Sequence, residues 1–251
     1  MNKLKMKKPK MIIFDYGHTL LYEPNHNPAN GNRILYDRIK SNPNNISFEE
    51  YSRIVQELFT KLKSEKGPEI EIHEHQFLRM THEYLGIELS VSIPEAERLN
   101  WYGISEGAKM PYVDEVLEFL DEQGIRTGVI SNLIFSGEAL RERLNRFLPD
   151  NKFEFVLASS EYIFAKPNRM MFDIALKKAG LKADEVWYCG DSIAADVVGA
   201  HNAGIFPVLY NGETEEENDP MKKINDGLEV DCEYLYIEDW RDFIKFLKDI
   251  M

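Results

Sequence analysis

From Met110 to Leu209, short apolar runs and helical stripes alternate without a break, and that alternation narrows the possible folds more than any other feature of the chain. Val113, Val116, Leu117 and Leu120 recur at helical spacing after Pro111, a good first helical residue, and Gly124 ends the stripe. The run 127–130 reads as a strand, 138–147 as a helix with Leu140, Leu144 and Phe147 inward, and 153–157 as a strand. Phe172, Ala175, Leu176 and Ala179 mark a helix closed by Gly180. Then come a strand at 186–189, a small-residue helix at 194–203 stopped by Gly204, and a strand at 206–209. A last strand at 233–237 and a helix at 240–247 complete the series. Strands alternating with helices in this way imply parallel pairing and right-handed crossovers, hence an α/β fold with a doubly wound, Rossmann-like sheet.

One more strand precedes the series. Met11 to Phe14 is too brief for a helix and shows no polar alternation, so it reads as a strand buried on both faces. It delivers Asp15 into a polar turn at its carboxyl end, where open α/β sheets bind their ligands. A lone aspartate there is most simply a turn residue. Ser131 and Asp191 alone would be helix N-caps, and Lys166 alone a surface lysine. Four strand ends nevertheless present Asp15, Ser131, Lys166 and the Asp191/Asp196 pair together, which chance explains poorly.

Roughly 85 residues separate the first strand from the second, too many for a single crossover. Residues 23–31 have loop chemistry, with Pro24, Pro28 and several turn formers. Ser47 and Glu50 resemble a capping box opening a helix whose stripe is Tyr51, Ile54, Val55, Leu58, Phe59 and Leu62. A second helix runs from near Ile72 to Leu85 before Gly86, and a third starts around Pro94. The segment is therefore expected to be an inserted helical cap over 23–108, with the α/β core formed by 1–22 and 109–251. His73 and His75 would diverge around the second helix, and His82 would lie about 10 Å further along it. The three are expected on a solvated face rather than around an ion.

Composition bounds the function classes. Thirty basic and 43 acidic residues in 251 give a net charge of −13, which disfavours nonspecific attraction to nucleic acid or an anionic membrane. The basic opening Lys3 to Lys10 reads as a solvated end, and the acidic run 215–217 within the loop-like stretch 213–231 as a solvated turn. No apolar run approaches the roughly 20 residues that span a bilayer, and the N-terminus lacks a secretory apolar region. A cytoplasmic protein is expected, with Cys189 and Cys232 reduced.

The motifs Phe14-Asp15-Tyr16-Gly17-His18-Thr19-Leu20, Val129-Ile130-Ser131-Asn132, Ala165-Lys166-Pro167-Asn168 and Gly190-Asp191-Ser192-Ile193-Ala194-Ala195-Asp196 together resemble the haloacid dehalogenase superfamily. Its members are mostly Mg²⁺-dependent phosphohydrolases, many with a helical cap after the first strand. The resemblance implies Asp15 as nucleophile, forming an aspartyl-phosphate. Ser131, the Asn132 backbone N–H and Lys166 would bind the phosphoryl oxygens of a phosphorylated small molecule. Mg²⁺ would lie on Asp15, the Gly17 carbonyl and Asp191, with Asp196 holding Lys166 or a metal water.

One departure matters. The family's phosphatases usually carry a second aspartate, the general acid and base, where this chain has Gly17, and a glycine where it has His18. General acid–base help is typically worth about 10²–10⁴-fold. His18 could supply the proton, the leaving group could need none, or the protein could be a weak or inactive phosphate binder on the same fold. The dehalogenase branch uses the nucleophile without a metal and would leave Asp191 and Asp196 without purpose.

Overall fold

The structure is a computed structural model describing residues 6–215, 221–223, 225 and 228–251. In chain order it has β1 (Met11–Phe14), β2 (Leu21–Tyr22), α1 (Pro28–Tyr36), β3 (Ile39–Ser41), α2 (Phe48–Glu65), α3 (Glu74–Leu85), β4 (Glu88–Leu89), α4 (Ile93–Ile104), β5 (Ala108–Lys109) and α5 (Val113–Glu122). There follow β6 (Arg126–Ser131), α6 (Gly137–Phe147), β7 (Phe153–Ala158), α7 (Ser159–Tyr162), α8 (Arg169–Ala179), β8 (Val186–Gly190), a π turn (Ile193–Val197) continuing into α9 (Val198–Asn202), β9 (Phe206–Tyr210), β10 (Leu235–Ile237) and α10 (Trp240–Ile250).

The expected doubly wound parallel sheet is present, in the order β10-β9-β8-β1-β6-β7. From β1 the chain builds outward through β6 and β7, then returns to lay β8, β9 and β10 on the other side. The order therefore reverses beside β1, and such a switch point opens a crevice at the strand carboxyl ends. Asp15 leaves β1 there, its N–H bonded to the Cys189 carbonyl of β8 at 2.8 Å. β1 is buried at every position because its side chains feed both layers. Ile12 and Phe14 join the core against α5, α6 and α10, while Met11 and Ile13 join the one against α8 and α9.

Between β1 and β6 lies the helical region, with three corrections to the sequence reading. Residues 28–31 are not loop but the first turn of α1: Asn27 Oδ1 accepts from the Ala29 N–H, and Pro28 takes the position where a missing N–H costs nothing. Gly31 is there for contact, because a Cβ on it would overlap Asn100 Oδ1 on α4. Pro111 does not start a helix: α5 begins at Val113, after Tyr112 turns left-handed at φ 61°. The histidines also differ from expectation. His73 is the N-cap of α3, not on it, so its ring turns to within 4.6 Å of that of His75. His82 is buried, stacked on Tyr51 and bonded to its hydroxyl at 3.1 Å.

Several contacts fix this region over the sheet. The Glu97 carboxylate on α4 accepts from Ser136 N (2.6 Å) and Oγ (2.7 Å) at the start of α6, an anion at a helix N-terminus. Glu74 N–H bonds the Ile134 carbonyl, and Glu71 N–H that of Ile163. Lys3 and Lys5 of the basic opening, and Glu216 and Glu217 of the acidic run, lie outside the described residues; Lys10 pairs with Glu185 at 2.6 Å. Both cysteines are free, and among the described residues no helix is long and apolar enough to cross a membrane.

Candidate active site

Lys166 is the centre of the cluster at the switch point. It is 3% exposed, and its ammonium donates to Asp15 Oδ1 (2.7 Å), Asp196 Oδ1 (2.7 Å) and the Tyr188 hydroxyl (2.6 Å), using all three protons. Its backbone is clamped as well: the Asn132 amide donates to the Lys166 carbonyl (2.8 Å) and accepts from its N–H (2.7 Å). Asn132 follows β6 directly, so the loop after β6 and the loop after α7 are tied through one side chain.

Asp191 and Asp196 come from the loop after β8 and the π turn. Such a turn inserts one residue into the helical repeat and is often found at functional sites. Asp196 Oδ2 accepts from Ser192 N at 2.9 Å, and its carboxylate lies over Gly190 so closely that any Cβ there would overlap it. Asn225 pins the same loop, donating to the Asp191 carbonyl (2.7 Å) and accepting from Ile193 N (2.9 Å).

Oxygens of Asp15, Asp191 and Asp196 lie within 4.8 Å of one another, all three residues buried. Burial, followed by the charges of Asp15 and Asp196, drives the Asp191 carboxyl well above its ordinary range. Burial also raises Asp196, against the pull of Lys166. For Lys166 itself burial pulls downward, but Asp15 and Asp196 outweigh it and its pKa stands above the usual lysine value. Three carboxylates facing one ammonium leave an uncompensated negative cluster, and Asp191 Oδ2 has no hydrogen-bond partner among the described residues. An oxygen-only donor set of this kind fits a hard divalent cation.

A cavity of about 410 Å³ opens on the cluster. Asp15, Gly17, His18, Ser131, Asn132, Lys166, Asp191 and Asp196 all line it, so every residue singled out from the sequence comes to one place. His18 is buried, left-handed at φ 52°, with its ring against Tyr22. The other wall is apolar, made by Tyr22, Trp101, Ile104, Leu133 and Phe135. Beneath it lies a network the sequence reading missed. Glu23 accepts from the Tyr16 hydroxyl (2.6 Å), the Trp101 indole (3.2 Å) and Arg143 (2.8 Å), joining the nucleophile loop to α4 and α6. Burial and then the Glu23 charge hold the Tyr16 phenol well above its usual pKa. Tyr188 was also missed, for it reads as one more apolar strand residue between Trp187 and Cys189. Glu23 left a faint signal, an acid directly after Leu20-Leu21-Tyr22.

The remaining histidine cluster is separate. His73, His75 and Glu97 gather at the junction of α3, α4 and α6, with His75 Nε2 at 2.9 Å from Glu97. There Glu97 already accepts from Ser136, and the N-termini of two helices converge, which disfavours a cation.

Comparison with known proteins agrees with this architecture. The family model for haloacid dehalogenase-like hydrolases matches residues 41–209. The chain is 31% identical over 176 residues to a glyceraldehyde 3-phosphate phosphatase of Methanothermobacter thermautotrophicus, covering 69% of this chain and 74% of that protein. It is 27% identical to a ribulose-1,5-bisphosphate 5-phosphatase of Halopiger xanaduensis, over 82% of this chain and 86% of the other. A crystal structure of a phosphatase from Thermococcus onnurineus superposes with a TM-score of 0.60 at 18% identity, over 96% of this chain and 98% of that one, and shows the shared fold. Taken with the strand-end cluster, these matches establish that the chain belongs to the haloacid dehalogenase-like hydrolases, in their phosphatase branch.

Proposed function

We propose that the chain is a Mg²⁺-dependent phosphatase of phosphorylated small molecules that works through an aspartyl-phosphate on Asp15. One observation carries the reading: a buried lysine bonded at once to Asp15 and Asp196, with a third carboxylate, Asp191, within 4.8 Å. A purely structural role would not gather three acids around one base on the floor of an open cavity, since each buried charge costs several kcal/mol, in round numbers, unless paired.

In this reading Asp15 attacks phosphorus with the oxygen that does not accept from Lys166. Lys166, bonded to Asp15 Oδ1, holds the nucleophile aimed, and its charge offsets that gathering on the phosphoryl oxygens. Ser131 donates its hydroxyl to one of those oxygens, with the Asn132 N–H beside it. Asp15, Asp191 and the Gly17 carbonyl would hold Mg²⁺, which would neutralise phosphoryl charge, and Asp196 keeps Lys166 in place. Water then releases phosphate from Asp15. Residues 23–108 form a cap, whose Trp101 and Ile104 wall the cavity and keep bulk water from the intermediate. The substrates named for the two relatives, both sugar phosphates, support an ester of a small hydroxyl compound.

The test is phosphate release from a panel of sugar phosphates, nucleoside monophosphates and aryl phosphates, with and without Mg²⁺. Wild type should turn over at least one of them, and Asp15→Asn should lose roughly 10³-fold or more while keeping its melting temperature. Tight phosphate binding with no release from any ester would instead identify a binding protein on this fold, the reading that Gly17 favours.

A further inference from the structure

Lys166 and Lys223 both line the cavity, and they stand differently toward a ligand. Lys166 donates its three protons to Asp15, Asp196 and Tyr188. Lys223 is exposed, and its ammonium has no hydrogen-bonded partner among the described residues. It belongs to the stretch between β9 and β10, which reads from sequence only as loop, yet its place is fixed from two residues away. Asn225 donates to the Asp191 carbonyl at 2.7 Å and accepts from the Ile193 N–H at 2.9 Å, so this stretch is seated on the loop that carries Asp191. Met221, Ser192 and Ala195 line the cavity as well. The electrostatics agree with that placement. Burial and the charges of Asp15 and Asp196 raise the Asp191 carboxyl, and Lys223 is the foremost charge pulling it back, ahead of Lys166.

Charge decides what such a lysine can do. A divalent cation among Asp15, Asp191 and Asp196, beside Lys166, balances that cluster, and Arg143 balances Glu23 at 2.8 Å. Lys223 then keeps a positive charge on the cavity with no counter-charge of its own among the described residues. In a molecule of net charge −13 such a local cation is what draws an anionic group to this part of the surface. The phosphoryl group under attack already has Ser131, the Asn132 N–H, Lys166 and the cation; a second anionic group on the same molecule has none of these. Resting on the phosphatase reading above, we infer that Lys223 is a specificity residue that binds a second anionic group, a carboxylate or a phosphate, on the substrate. An ammonium is a compact point charge and accepts either group. The preferred substrates are therefore phosphate esters of hydroxy acids, or bisphosphates, over phosphate esters of neutral alcohols.

Glycerol 3-phosphate and 3-phosphoglycerate share a three-carbon skeleton and differ by a hydroxymethyl group against a carboxylate. With saturating Mg²⁺, wild type should favour 3-phosphoglycerate by about five- to tenfold in kcat/KM, carried by KM, the range between an exposed ion pair and a charge-assisted hydrogen bond. Fructose 6-phosphate against fructose 1,6-bisphosphate reads a phosphate in the same role, and a preference in one pair alone names the group that Lys223 takes. Lys223→Gln should bring each favoured pair to within about twofold, Lys223→Arg should keep the preference, and added salt should shrink it in wild type. The same esters titrated into Asp15→Asn by calorimetry give Kd values that need no turnover. Equal KM and equal Kd within both pairs overturn the inference. So does a preference that Lys223→Gln leaves intact, which would put the second anion on another group of the cavity such as His18 or His26. An equal loss on all four esters in Lys223→Gln overturns it too, because the lysine would then serve the phosphoryl group under attack. If no ester is hydrolysed while the Kd preference of Asp15→Asn still depends on Lys223, the phosphatase reading fails and the anion subsite stands.

Discussion

Tyr188 gives Lys166 its third acceptor, and its own hydroxyl donates to the Ile130 carbonyl at 3.0 Å, so one phenol ties the ammonium to the neighbouring strand. In Tyr188→Phe a buried N–H of Lys166 and the Ile130 carbonyl both lose a partner, which costs about 1–3 kcal/mol. The ammonium would then be held by two carboxylates alone and drift toward them. Turnover should fall roughly tenfold through kcat with KM little changed, because the lysine acts on charge that develops after binding. Urea denaturation and steady-state kinetics check the two halves separately; an unchanged kcat would show that the phenol only packs. The sequence reading placed Asp15, Ser131, Lys166 and Asp191 at or after strand ends because short apolar runs closed by polar turns are legible as buried strands. It could not place Tyr188, whose chemistry comes from facing Lys166, a residue 22 positions away.

α1 and α4 pack through Gly31 and Gly103, and a Cβ on Gly31 would overlap Asn100 Oδ1 and stand 2.8 Å from the Asn100 carbonyl oxygen. Gly31→Ala improves helix propensity by up to about 1 kcal/mol, but overpacking against backbone costs about 1–3 kcal/mol. The overlap is severe and Asn100 also holds Glu74 at 2.9 Å, so the balance should be a net destabilisation, read as a lower denaturation midpoint. α3 carries two buried groups with opposite pH behaviour. Burial lifts the Glu74 carboxyl from its ordinary 4.5 to about 7, against the pull of Asn100, and presses the His82 imidazole from 6.5 down to about 4. Below about 7 the fold binds the Glu74 proton and the unfolded chain does not until about 4.5, so this stabilisation is complete below 4.5 and lost as pH rises through 7. For His82 the unfolded chain takes the proton first, so its stabilisation is present above 6.5 and lost as pH falls through about 4. Each is worth about 3 kcal/mol and they oppose one another between roughly 4.5 and 6.5. Removing one should expose the other: the Glu74→Gln variant should gain stability relative to wild type as pH rises from about 4.5 to about 7. A flat difference curve would mean that Glu74 is ionised in the fold throughout. None of this was visible in the pattern of α3, where His82 reads as polar. Its burial is decided by Tyr51 on another helix.

The three acids at the switch point belong to β1, the loop after β8 and the π turn, so a cation bound among them ties both halves of the sheet. Mg²⁺ should raise the melting temperature, since an ion that binds only the folded chain adds about 2.7 kcal/mol at a hundred times its Kd. For a chain of this size that is roughly 5–10 °C, and Asp191→Asn should abolish most of the shift. A melting temperature indifferent to Mg²⁺ would remove the ion from the proposed mechanism. The sequence by itself determined the layers of this protein: which runs are strands, which faces of helices are apolar, that β1 is buried on both sides, and that polar residues end several strands. These follow from short apolar runs between turn residues and from the helical period of 3.6, which are properties of neighbouring residues. Only the tertiary structure decided that β8 lies against β1, which brings Asp191 to Asp15, and that the Lys166 ammonium spans 151 positions to reach that nucleophile. Such pairings are set by burial summed over the whole sheet and both helical layers, a quantity that no short stretch of the chain contains.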